Sequence, residues 1–371
     1  MIQYVCDKKY KITIDCGFIN GARKRKSQIF YGTYNKARLK EAELRNDVKS
    51  NKINLNKSLS FSDLTNMFIN DYCLVSIRDN TLNNYKSLLK VILKELGNEK
   101  VEKITPYILQ RYYNKLSNEY NYSTNTICHH YNLINNIFEK GCKWKVINYN
   151  PNRDIEKPRI IKKEKKIYDY EQVRDLLKAL ENEPIKYRAP IILGLDTGMR
   201  REELNGLKWD DIDFENSRLR IERTRVAVGK KIVVSDPKTE HSKREVCITE
   251  LSMNALKELK EYQEDLKYKN KDIWNETGYV FINEIGEPYY PDVLSKMFKK
   301  LLKRNNLPYI TFHALRHTSV SLLINNNEDI RTISDRVGHA STSTTLNMYS
   351  HVIEKSKKDV AIKMNSILTE L

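Results

Sequence analysis

The chain has 371 residues, more than one ordinary domain holds and enough for two or three, each able to bury its own core. Apolar residues make up 40% and charged residues 30%, the balance of a soluble globular protein, which excludes a disordered or fibrous chain. Lys and Arg number 65 against 48 Asp and Glu, a formal charge of +17 that calls for a polyanionic partner.

That charge is uneven, with 14 cations against 5 anions in residues 1–57. No apolar run approaches the ~18 residues of a membrane span. No segment pairs a basic face with the Trp- and Phe-rich apolar face of an interfacial helix, which favours nucleic acid over a membrane surface. Met1–Tyr10 carries Asp7, Lys8 and Lys9 where a secretory signal would place its apolar stretch, so a cytoplasmic location is expected. Six cysteines, Cys6, Cys16, Cys73, Cys128, Cys142 and Cys247, form no CxxC pair and match no disulfide or zinc framework. They are expected to be reduced and mostly buried.

Tyr10, Ile12, Ile14 and Cys16 alternate with Lys11, Thr13 and Asp15, the period-2 pattern of a half-buried strand. Asn20-Gly21 marks a turn, and a second strand is expected around Gln28 to Tyr34. Arg23, Lys24, Arg25 and Lys26 then fall between the strands, as a solvated loop or as a phosphate-gripping hairpin. Asn35 is placed to cap a helix over Lys36 to Lys49, and Asn51 to Ser60 suits a polar linker.

Beyond the linker the period becomes helical. Leu64, Met67 and Phe68, then Leu82, Tyr85, Leu88, Leu89 and Ile92, recur at three- and four-residue spacing. Thr105-Pro106 opens a third helix and Ser123 a fourth, so a small helical domain is expected to end near Val146. Asn150 to Lys166, with two prolines and several Lys and Arg, reads as an exposed connection. After it, Arg218 to Thr224, Lys231 to Ser235 and Arg244 to Ile248 predict a three-stranded antiparallel sheet within a largely helical segment. The expected class is therefore multidomain, mainly α with small antiparallel sheets (α+β).

Four of the seven histidines fall between 313 and 351. In His313-Ala-Leu-Arg316-His317, His313 and Arg316 share a helical face and His317 lies one turn from His313. Two His at i and i+4 are compatible with zinc, but the segment lacks the Glu of HExxH and its arginine would repel a dication. Arginine there suits an anion, whose oxygens its fork of donors matches. A second such arginine, Arg200, follows Thr197-Gly-Met, with Glu203 one turn on and placed to hold it by a salt bridge; alone, this would be an ordinary surface pair.

Together, Thr197-Gly-Met-Arg200-Arg-Glu-Glu203, Pro237-Lys238-Thr239, His313-Ala-Leu-Arg316-His317, Val337-Gly338-His339 and Thr344-Thr-Leu-Asn-Met-Tyr349-Ser-His351 resemble the tyrosine recombinases, and more narrowly the integrases of temperate phages and conjugative transposons. Val337 stands where the family's commonest box has Leu, a conservative change. The resemblance implies a basic arm-type DNA-binding domain over 1–55, a helical core-binding domain over 59–150, a basic linker over 151–167 and a catalytic domain over 168–371.

It implies that Tyr349 attacks a scissile phosphate to form a 3′-phosphotyrosyl link, with Arg200 and Arg316 gripping non-bridging oxygens. His313 and His339 would contact phosphate or tyrosine, and Lys238 would protonate the leaving 5′-oxygen, its Pro-Lys-Thr context favouring it over Lys230, Lys231 and Lys243. His317 and His351 match structural or supporting positions. The resemblance further implies no metal or other cofactor, double-stranded DNA as partner at core and arm sites, four protomers on DNA, and an excisionase or host DNA-bending protein as accessory. The alternatives are a type IB topoisomerase, which would need no basic N-terminal module, and a non-catalytic DNA-binding protein. Lys355 to Leu371 is amphipathic and suits packing on its own domain or on a neighbour.

Overall fold

The computed structural model describes residues 1–19, 22–49, 59–160, 166–229, 231–236 and 242–339, with 341–343, 346, 364–365 and 368–369. The chain divides into two compact units, Met1–Lys162 and Lys163–Leu371.

The first unit begins with strands β1 (Ile2–Cys6), β2 (Lys9–Ile19) and β3 (Ala22–Tyr31) in an antiparallel sheet of order β1-β2-β3, followed by helix α1 (Tyr34–Lys49). The alternation in β2 turns Ile12 and Ile14 inward, where they pack with Ala37 and Leu44 of α1. β1 has no such alternation, since four of its five residues are exposed, and sequence reading missed it.

Arg23 to Lys26 are not a loop between strands. Their backbone belongs to β3, with Arg23 opposite Phe18, Arg25 opposite Asp15 and Lys26 opposite Ile14. A run of four cations hides the period of 2, and the length of β2 extends the ladder past it. Arg25 is exposed; the side chains of Arg23, Lys24 and Lys26, and the turn at Asn20-Gly21, lie outside the described residues.

The helical part comprises α2 (Phe61–Met67), a π-helical turn (Phe68–Cys73), α3 (Leu74–Ser76), α4 (Asp79–Leu96), α5 (Pro106–Asn118) and α6 (Thr124–Lys143). Thr105 and Ser123 cap α5 and α6 as their sequence predicts, and Ser60 closes a capping box with Asp63 at the start of α2. The apolar stripes meet in one core that includes Phe61, Phe68, Ile92, Leu109, Leu116, Ile134 and Phe138.

The connection expected to be exposed from residue 150 instead folds back over α5 and α6 in its first half. Pro151 and Asn152 are buried. Tyr113 donates to Asn152 Oδ1 at 2.6 Å, and Tyr131 donates to the carbonyls of Asn152 and Ile155, both at 3.2 Å. Arg153 pairs with Glu139 at 2.6 Å. Buried tyrosine hydroxyls need acceptors, and this segment supplies them.

The second unit contains α7 (Tyr170–Glu181), α8 (Ile185–Thr197), α9 (Arg201–Leu204), β4 (Ile212–Asp213), β5 (Arg218–Ile221), β6 (Thr224–Val228), β7 (Lys231–Ser235), β8 (Arg244–Cys247), α10 (Glu250–Lys269), α11 (Val293–Arg304), α12 (Phe312–Asn325) and α13 (Ile330–Val337). Helix α8 is apolar from Ala189 to Leu195 and packs against α10, α11 and α12.

The three predicted strands do not form one sheet. β5 pairs with β4 and β8, while β6 and β7 form a separate two-stranded ribbon. Leu219 and Ile221 of β5 are buried beside Val246 of β8, whereas Ile232 and Val234 of β7 are exposed. Burial thus draws β8 to β5 past the intervening hairpin. Cys73 and Cys128 are buried and Cys142 half-buried, but Cys6 and Cys247 are exposed, contrary to expectation for those two. Among the described residues, no helix is long and apolar enough to cross a membrane.

Candidate active site

Two helix ends build the site. α8 stops at Gly198 (φ 62°) and α13 at Gly338 (φ 67°), both in the left-handed conformation that favours glycine at a helix C-terminus. Space demands glycine as well. A Cβ on Gly198 would lie 2.8 Å from Val337 Cγ1, and one on Gly338 would lie 2.8 Å from Arg244 Nη1. With no side chain there, each glycine leaves its carbonyl open to an arginine of another element. The Gly198 carbonyl accepts Arg316 Nη1 of α12 at 2.8 Å, and the Gly338 carbonyl accepts Arg200 Nη2 at 3.2 Å.

Arg200 is the N-cap of α9. Its backbone N–H donates to Glu203 Oε2 at 2.9 Å and its Nη1 to Glu203 Oε1 at 2.7 Å. The side chain of Glu203 is 1% exposed and that of Arg200 28%, so the pair is a buried anchor with an open cationic end. Burial pushes the Glu203 carboxyl up, but Arg244 and Arg200 outweigh it and hold the group below its usual range.

Arg244, at the start of β8, is 6% exposed and reaches Glu203 Oε2 with Nη2 at 3.1 Å. Its Nε donates to the Arg336 carbonyl at 2.7 Å and its Nη1 to the Ser242 carbonyl at 3.2 Å. Arg336, in the last turn of α13, pairs with Asp196 Oδ1 at 2.8 Å and bonds the Cys247 carbonyl at 2.9 Å. Helix α13, and the His339 that follows it, are thereby tied to α8 and β8.

His313 is exposed in the first turn of α12, and Arg316 one turn on is buried. The His313 and His317 rings meet edge-to-face at 4.8 Å. His339 is pushed down to about 4 by burial and by the charges of Arg316, Arg200 and Arg244, with His313 adding to them. It is therefore a neutral imidazole at pH 7.

Arg200, Glu203, His313, Arg316 and His339, separated by up to 139 positions in sequence, are thus gathered around two helix ends. Two arginines, Arg200 and Arg244, share Glu203 there and Arg316 adds a third guanidinium, an excess of positive charge suited to an oxyanion. Lys238 and Tyr349 lie outside the described residues. Of the competing lysines, Lys243 pairs with Asp236 at 3.0 Å. Arg23 to Lys26 belong to the other unit. Arg244 is the component that sequence reasoning missed. Its signal was its alternation with Val246, which puts a cation on the inward face of a strand.

The model of the phage integrase family matches residues 166–356, and that of the phage integrase N-terminal SAM-like domain matches residues 60–117. A tyrosine recombinase XerC-like protein of Caldanaerobacter subterraneus subsp. tengcongensis is 30% identical, over 96% of each chain. The ICEBs1 integrase of Bacillus subtilis is 26% identical over 97% of this chain and 98% of its own. A solved structure of the Tn1549 transposon integrase with transposon right-end DNA shares the fold, with a TM-score of 0.69 at 21% identity over 82% of this chain and 100% of that one. The chain belongs to the phage integrase family of tyrosine recombinases, enzymes of site-specific DNA recombination.

Proposed function

We propose that this recombinase integrates and excises a mobile element through Tyr349, with the Arg200–Arg316 cluster as its phosphate site. The observation that carries this reading is the convergence of Arg200, Arg316, His313 and His339 at the ends of α8 and α13. Arg200 and Arg316 bind the non-bridging oxygens of the scissile phosphate and offset the charge that grows on them, and each such donor contributes about 3 kcal/mol to the transition state. The Tyr349 oxygen attacks phosphorus, and its proton passes to His313. The bond to the 5′-oxygen breaks, and Lys238 protonates that oxygen. The 3′-phosphotyrosyl bond conserves the energy of the phosphodiester, so the reverse attack by a 5′-hydroxyl rejoins DNA. His339, neutral at pH 7 in the free protein, serves as a hydrogen-bond partner of the phosphate.

Duplex DNA is the partner, gripped chiefly through its phosphates and hence salt-dependently. The transposon integrase with the same fold was solved with transposon-end DNA. The basic module over 1–55 takes arm sites, the helical domain over 59–150 takes core sites, and 168–371 cuts. Two cuts in each of two duplexes require four protomers, with an excisionase or a host DNA-bending protein as accessory. The enzyme works in the cytoplasm, where that DNA is.

The test is incubation with end-labelled DNA spanning the junctions of the protein's own genomic element. The wild type is expected to give an SDS-resistant adduct at a 3′-phosphate and Tyr349→Phe none. Adduct formation by Tyr349→Phe at the wild-type rate would overturn the assignment.

A further inference from the structure

We infer that Arg244 is a positioning residue that sets Arg200 and the His339 turn in place for the phosphate without touching it, an inference that rests on the recombinase reading above. The Arg244 side chain is 6% exposed, and all three nitrogens of its guanidinium are engaged inside the protein, by the carbonyls of Arg336 and Ser242 and by Glu203. It acts on the site along two routes. Through Glu203 Oε2 it fixes the carboxylate whose two oxygens hold the backbone and the side chain of Arg200. Through the Arg336 carbonyl it holds the last turn of α13, two residues before Gly338 and three before His339.

The electrostatics demand a second cation at this place. Alone with Arg200, a buried glutamate would neutralise it and draw its guanidinium away from an incoming anion. Shared between two arginines, Glu203 orients Arg200 while leaving the group with net positive charge. Lysine cannot substitute, because one ammonium on a flexible stem cannot reach three acceptors that diverge in the plane of a guanidinium fork. The closeness of Gly338 reinforces this geometry, since even a methyl group there would strike Arg244 Nη1 at 2.8 Å.

The test uses the full-length protein and two variants, Arg244→Lys and the double variant Arg244→Met with Glu203→Gln, which leaves no orphaned buried charge. Single-turnover adduct formation is measured on core duplex DNA with a normal scissile phosphate and with a methylphosphonate there, which carries no negative charge. Both variants are expected to melt cooperatively and bind DNA as the wild type does, but to form adduct about 100-fold more slowly on the phosphodiester, the loss expected when an oxyanion donor is misplaced. Most of that loss should be regained on the methylphosphonate, because a neutral group does not need Arg200 held in position.

Wild-type rates in both variants would overturn the inference, as would an equal slowing on both substrates or failure of both variants to fold; the last two would make Arg244 a structural residue only. Absence of adduct from the wild type itself would instead overturn the recombinase reading on which the inference rests.

Discussion

The Gly338 carbonyl accepts a hydrogen bond from Arg200 Nη2 at 3.2 Å, joining residues 138 positions apart. A helix end that would otherwise spend this carbonyl on water uses it to aim a guanidinium. The bond depends on Gly338 holding φ 67°, a conformation that a side chain disfavours.

Gly338→Ala is therefore expected to destabilise the second unit by about 1–3 kcal/mol, the cost of forcing an L residue into this conformation. The clash with Arg244 Nη1 adds to it. Thermal melting of the variant against the wild type measures the loss, and adduct formation should fall with it even at temperatures where the variant stays folded. An unchanged melting temperature would show that the turn is not held as described.

Acid should destabilise the protein through two imidazoles. His339 and His130 are each pushed down to about 4 by burial, His130 while hydrogen-bonded through Nδ1 to Tyr112 Oη at 2.7 Å. In the unfolded chain both titrate near ~6.5. Between those values the unfolded state binds more protons, so stability is full above about pH 6.5 and declines as pH falls towards 4. Melting temperature measured from pH 7 to 4 should show this decline, and His339→Asn should flatten it for the second unit. Bound phosphate has the opposite effect on His339, since an anion beside it stabilises the imidazolium. Its NMR titration should therefore move upward when core DNA is added.

Asn152→Ala tests the folded-back connection. The substitution removes the acceptor of Tyr113, whose hydroxyl is buried, and an unsatisfied buried hydroxyl costs about 1–3 kcal/mol. Tyr113→Phe combined with Asn152→Ala should recover part of that loss in chemical denaturation, because no polar group is then stranded. A double variant no more stable than Asn152→Ala would mean that the hydrogen bond is not what holds the segment.

Lys238 is tested by chemistry. Without its proton the 5′-alkoxide is a poor leaving group, and Lys238→Ala should cleave about 100- to 10,000-fold more slowly. DNA with sulfur at the 5′-bridging position releases a thiolate that needs no acid, so the variant should recover most of its rate there. Arg200→Ala and Arg316→Ala should not, since in the proposed mechanism these arginines act on non-bridging oxygens. Rescue of Lys231→Ala in place of Lys238→Ala would move the acid to Lys231.

The sequence by itself determined what depends on neighbours within a turn or two. The helical stripes around Leu89 and Ile134, the caps at Thr105 and Ser123, the strand of Ile12 and Ile14, and the pairing of Arg200 with Glu203 are local, and their spacing states them directly. The ordered boxes that carry the family resemblance were legible for the same reason, since each is a short run of fixed residue types.

What only the tertiary structure decided are the contacts made across long stretches of chain, for which a single sequence carries no register. Arg244 finds Glu203 across 41 positions, and Arg316 finds the Gly198 carbonyl across 118. β8 bypasses the β6–β7 ribbon to join β5, because buried Val246 matches Leu219 while the ribbon's valines and isoleucine face solvent or lie half-exposed. The segment after Asn150 looks polar and prolyl in sequence, yet buried Tyr113 of α5 and half-buried Tyr131 of α6 require the acceptors it carries. In each case the deciding quantity is the burial of a polar or apolar group against a distant partner, and that exists only once the chain has folded.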